Sequence, residues 1–114
     1  MTQFRLFLLA CLIAIALYTG VVIANHGINL MPVFLGDIAA MAWPGQFNVD
    51  FTCFLALSAL WVSWRHKFSA GGLALGVIAF LGGMLFLSIY LLVHSVRSNG
   101  DIKVLLLGTA RAGQ

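Results

Sequence analysis

Glutamate is absent from the 114 residues, and negative side-chain charge rests on Asp37, Asp50 and Asp101 alone. A transporter of the small multidrug kind needs an acidic residue held at membrane depth, and none of these three falls at the centre of an apolar run. Charged residues of all kinds make up 8% of the chain, against about 25% in a typical soluble domain. So few charges cannot cover a surface that faces water, which leaves lipid as the solvent for most of the chain. Cysteine is scarce as well. Cys11 and Cys53 fall toward opposite ends of two apolar runs, too far apart for a disulfide, and neither has metal-ligand spacing. Ser58, Ser63, Ser69, Ser88 and Ser95 sit in no nucleophile motif and no metalloprotease His pair occurs, so the chain reads as a non-enzyme. The six Lys and Arg are scattered near the ends of apolar runs, without the aromatic-interleaved basic patch of a nucleic-acid binder. At such places they anchor a membrane protein.

Three long apolar segments are what the chain does have. Residues 4–24 ("FRLFLLACLIAIALYTGVVIA") are uncharged after Arg5 for the length that crosses a bilayer. Residues 49–64 form a shorter second span, stopped by Arg65, His66 and Lys67. Residues 70–94 form the third and longest, ending near Arg97. The predicted fold is all-α, a single polytopic membrane domain over residues 1–114. It has three transmembrane helices, one interfacial helix in the first extracytoplasmic loop, and a surface tail over residues 95–114. By the positive-inside rule, Arg5 and the "RHK" cluster share the cytoplasmic side of a bacterial inner membrane. Residues 25–50 hold no Lys or Arg and belong outside. A third crossing then carries the C-terminus outside too, which leaves Arg97, Lys103 and Arg111 in conflict with the rule.

The stretch "HGINLMPVFLGDIAAMAWPG" is too apolar for an ordinary loop and too broken by Pro32, Asp37 and Pro44 for a span. Helical spacing of its apolar residues predicts an interfacial helix over about residues 30–42, capped by Asn29, tolerant of Pro32 in its first turn, and ended by Trp43 and Pro44. Phe34, Leu35, Ile38, Met41 and Trp43 form its apolar cap. Such a cap shields the outer ends of the bundle, or serves as a lid or a docking face.

Two small-residue stripes mark helix contacts in lipid: Thr52, Ala56, Ala59 and Ser63 on the second span, and Gly72, Gly76, Ala79 and Gly83 on the third. Phe54, Leu57 and Trp61 lie on another face of the second span. On a straight helix His94 stands above Gly76 and Gly83 with Tyr90 between, on the same side of the membrane as His26. Two such histidines can ligate a haem, a chlorophyll-type pigment or a metal. Asp37 and Asp50 suit the entrance of a small transport or lipid-handling protein, although Asp50 equally suits a helix N-terminus.

The run "NHGINLMPVFLGDI", followed by "FNVDF", resembles a family of short bacterial integral-membrane proteins known only as a domain of unknown function. The likeness covers residues 24–60. Asn25 stands where an acid often precedes "HG", and Arg65 where an acid is common after the second span. The resemblance implies a three-helix topology and supplies no activity, ligand or catalytic residue. The expectation for function is a small accessory or scaffold subunit. It would pack against itself or against a larger respiratory or photosynthetic complex, with Gly76 and Gly83 carrying assembly.

Overall fold

A computed structural model describes residues 1–113. Among these there is no strand, and the elements are α1 (Thr2–His26), α2 (Met31–Ala39), α3 (Trp43–Arg65), α4 (Ala70–Arg97), α5 (Ile102–Leu107) and α6 (Thr109–Ala112). Helices α1, α3 and α4 are each long and apolar enough to cross a membrane, so the all-α polytopic class holds. At 1.5 Å per residue α1 is about 37 Å long, more than a bilayer's hydrocarbon core.

Local sequence sets the element ends. Leu30, not Asn29, stands at the N-cap of α2 and no side chain caps the helix; one residue earlier the Asn29 side-chain oxygen accepts from the Met31 amide at 3.3 Å, and Pro32 falls in the first turn. Helix α2 ends at Ala39, and Met41 turns the chain through the left-handed region at φ 57°. Trp43 and Pro44 then open α3, with Pro44 in its first turn, rather than closing the interfacial helix. Pro44 costs nothing there, because a first-turn amide has no intrahelical acceptor. At the head of α4 the Ser69 hydroxyl accepts from the Gly72 amide at 3.1 Å.

Helix α4 does not run straight. Gly83 has φ 56° and ψ −141°, a conformation open to glycine and strained for other residues. The halves on either side, 70–82 and 84–97, are each about 20 Å long and fold back on one another. Val62 of α3, Ala79 of the first half and Tyr90 of the second share one buried cluster. Gly72 approaches His66 and Ser63, Gly76 approaches Ser63 and Ala59, and the turn at Gly83 rests on Phe51 and Leu55. The small stripe of α4 therefore packs on the C-terminal part of α3's stripe. Ala56 stays exposed, and the Thr52 hydroxyl donates to the Asn48 carbonyl of its own helix at 2.8 Å.

The fold-back overturns the expected path of the chain's end. Arg5, near the start of α1, donates from Nε to the Ser95 hydroxyl at 3.0 Å and from its guanidinium to the Ser95 carbonyl at 2.9 Å. Gly100 lies against Met1. The start of α1, the end of α3 and both ends of α4 therefore meet at one end of the molecule. The described chain finishes where it starts, not on the opposite face. The two ends meet because the backbone at Gly83 turns the second half of α4 back along the first.

The tail docks on the chain itself. The Asp101 carboxylate caps α5, accepting from the Lys103 amide at 2.9 Å and the Val104 amide at 3.4 Å. Trp61 Nε1 donates to the Leu106 carbonyl at 3.0 Å, and Arg111 Nε donates to the Trp64 carbonyl at 3.0 Å while stacking over the Trp64 ring. Trp61, on the same face of the second span as Phe54 and Leu57, is half-buried edge-on to Tyr90, whereas Phe54 and Leu57 are exposed.

At the far end, α2 packs on α3. Gly45 meets the Asp37 carbonyl and the backbone of Ile38, and the Asn48 amide donates to the Phe34 carbonyl at 3.1 Å. Phe34 and Ile38 are half-buried by this contact, while Leu35, Met41 and Trp43 are exposed.

Candidate functional site

The converging helix ends assemble a polar cluster around Arg65. Its side chain is 6% exposed and donates from Nε to the Leu105 carbonyl at 2.7 Å, from Nη1 to the Tyr90 hydroxyl at 3.1 Å and from Nη2 to the Val104 carbonyl at 3.3 Å. These neutral acceptors are the partners a buried cation requires. Gly108, at φ 83°, brings the tail's backbone onto Arg65, where a Cβ would strike the Arg65 carbonyl.

Tyr90 links this cation to two imidazoles. Its hydroxyl lies 2.8 Å from His66 Nε2, and its ring stands 4.3 Å from that of His94. Since Arg65 donates to the Tyr90 oxygen, the hydroxyl proton is free to point at His66 Nε2, the arrangement that goes with the Nδ1-protonated tautomer of His66. Burial, and next the Arg65 charge, hold the His66 pKa below its ordinary value, in keeping with a neutral acceptor. The His66 and His94 rings are 5.9 Å apart.

Beside the cluster opens a cavity of about 350 Å³ lined by Arg65, His66, Lys67, His94, Arg97 and Ser98, with Thr109 closing it from the tail. Lys67 enters from a left-handed turn, φ 55°. All six Lys and Arg of the chain, Arg5, Arg65, Lys67, Arg97, Lys103 and Arg111, sit at this end. Only Asp101 of the three acids joins them, as the cap of α5.

The predicted histidine pair is not brought together. His94 stands at the shared end beside His66, whereas His26 closes α1 at the far end, about 30 Å along the helix from Arg5. The glycine face below His94 leaves no room for a flat haem or pigment ring, because Ser63, Ala59, Phe51 and Leu55 pack against Gly76 and Gly83. Both expectations rested on a straight third helix. Among the described residues no group of three or more His, Cys, Asp or Glu could hold a metal, and a cation between His66 and His94 would meet Arg65, Lys67 and Arg97. Asp37 and Asp50 lie at the far end: the Asp37 backbone touches Gly45, and Asp50 borders a groove between α2 and α3 with Met41, Gln46 and Cys53.

Sequence reasoning missed Arg65, His66, Lys67 and Arg97 as a group and treated them only as topology markers. Two glycines in a row, Gly82 and Gly83, in the middle of an apolar helix were the available signal of a reversal. A second omission is on α1. Ala16, Gly20 and Ala24 repeat at four-residue steps, are all exposed, and nothing lies within 4 Å of a Cβ built on Gly20.

Comparison of the chain with family models, with curated proteins and with solved structures finds no match.

Proposed function

We propose that this protein is a small accessory or scaffold subunit of a bacterial inner membrane, holding a transmembrane helix of another subunit against the far half of α1. The observation that carries this reading is the open face at Gly20. The fold-back at Gly83 stops α4 well short of the far end, and α2 packs on α3. A shallow groove lined by α1 alone, with Ala14, Leu17, Tyr18 and Val21, runs along another face of the same half, so the far half of α1 is uncovered on more than one side. Leu8, in the near half, is 1% exposed, whereas Tyr18 in the far half is 73% exposed. Close approach over small residues is the main source of helix attraction in lipid, and the small residues of α4 are already spent on α3. Assembly therefore falls to Ala16, Gly20 and Ala24 rather than to Gly76 and Gly83. By the positive-inside rule the basic end faces the cytoplasm with both ends of the described chain, and His26, Asp37 and Asp50 lie outside.

Native mass spectrometry of the chain extracted in mild detergent tests this. The wild type carries added subunit mass, and Gly20→Leu inserts normally but flies as a bare chain. A wild type found bare, or a Gly20→Leu chain with its added mass intact, would overturn the reading.

A further inference from the structure

We infer that the basic cavity at the shared end binds a phosphate-bearing anion, with Lys67 and Arg97 as its direct cationic ligands. Four observations carry this. First, the charge is one-sided: Arg65, Lys67 and Arg97 line the cavity and, among the described residues, no carboxylate does. Asp101, the nearest acid in sequence, spends its carboxylate on the amides of Lys103 and Val104. Second, the two outer cations are uncommitted. Arg65 is fixed by Leu105, Tyr90 and Val104, but among the described residues neither the Lys67 ammonium nor the Arg97 guanidinium has a hydrogen-bond acceptor. Third, the donors converge from different elements. Lys67 comes from the α3–α4 turn, Arg97 from the end of α4 and Thr109 from the tail, while the Ser98 hydroxyl in the wall donates to the Ser95 carbonyl at 3.3 Å. An ammonium, a guanidinium and a hydroxyl arriving from different elements suit the oxygens of a tetrahedral anion better than a flat carboxylate. Fourth, the cavity sits where α1 begins and α3 ends, at the depth of lipid headgroups for a chain whose helices cross a bilayer. Its volume of about 350 Å³ admits a phosphate with its ester substituent.

A phosphate of this kind can belong to an anionic lipid headgroup or be free in the cytoplasm. The site closes differently from a bare basic surface. The tail, pinned by Gly108 on Arg65 and by Arg111 on Trp64, forms one wall, so the anion also holds the tail to the membrane end of α3.

The test uses the full chain in nanodiscs of phosphatidylcholine, with phosphatidic acid or with inorganic phosphate added separately, and reads bound phosphate by native mass spectrometry and by protection of the tail from protease. Wild type binds in at least one arm. Binding of phosphatidic acid alone assigns the lipid source, and binding of inorganic phosphate in plain phosphatidylcholine assigns the free one. The Lys67→Gln, Arg97→Gln double variant weakens binding about ten-fold or more, as expected for two lost charge-assisted contacts. Lys103→Gln removes a cation of the same end that does not line the cavity and leaves binding unchanged. No binding in either arm, or equal loss in Lys103→Gln and the double variant, would overturn the proposal.

Discussion

At one end of this molecule four helix ends and a docked tail are tied together by the side chains of Arg5, Arg65 and Arg111, and every Lys and Arg of the chain gathers there. At the other end, α2 rests on α3 through Gly45, and the last turns of α1 stand alone with Asn25 and His26. The first end is closed by polar contacts that survive beside water: Arg5 on Ser95, Arg65 on the tail, Arg111 on Trp64. The second holds two of the acids and no basic group except His26. The difference follows from one residue. Because α4 turns back at Gly83, the near half of the molecule has four helical segments to pack and the far half has α1, α3 and the short α2. Polar side-chain contacts have concentrated where the chain is crowded, and the uncovered apolar face of α1 is where it is sparse.

Thiol labelling gives the largest expected effect. In a background with Cys11 and Cys53 replaced by serine, Gln3→Cys and Asn99→Cys should react with an impermeant thiol reagent from the same side of the membrane, all or none. Asn99→Cys reacting from the side opposite Gln3→Cys would mean that α4 crosses without returning. Next in size is Gly83→Leu. Its backbone conformation strains any L-residue, and a Cβ there approaches Phe51 Cζ to 3.1 Å, so a loss of about 2–5 kcal/mol is expected from strain and overpacking together. Thermal unfolding in detergent reads it, with Gly71→Leu, where nothing lies within 4 Å, as the control that should shift far less. The smallest effect sharpens the picture of the basic end. Burial and then the Arg65 charge lower the His66 pKa from 6.5, so the folded state holds this imidazole neutral where the unfolded chain would begin to charge it. Stability from this group is complete above pH 6.5 and is lost as pH falls from there through the lowered folded value. Resonances of His66 should therefore titrate below 6.5, and His66→Asn should lessen, without abolishing, the slope of the stability profile across that window. An ordinary or raised His66 titration would contradict the Tyr90–His66 arrangement.

How much of this was legible beforehand differs by element. Three apolar segments, the Asn29 and Pro32 start of α2 and the stop at Arg65 follow from composition and local chemistry, since lipid selects apolar length and first turns select proline and side-chain acceptors. The contact of Gly76 with Ala59 and Ser63 was half legible: both stripes were visible, but not that they face each other. The site was hidden because its members are far apart in sequence. His66 and His94 are neighbours only after a reversal, and each taken alone reads as an anchor at a helix end.

The sequence by itself determined that this chain dissolves in lipid, how many apolar helices it offers and where most of them start and stop, because those properties are sums over neighbouring residues. Tertiary structure alone decided that both ends of the described chain meet, that the basic residues form one cavity and that Gly20 faces open space. Each of those depends on the direction the backbone takes at Gly83. A glycine permits that reversal without requiring it, and only the packing of Phe51, Leu55, Val62 and Tyr90 around the turn selects it.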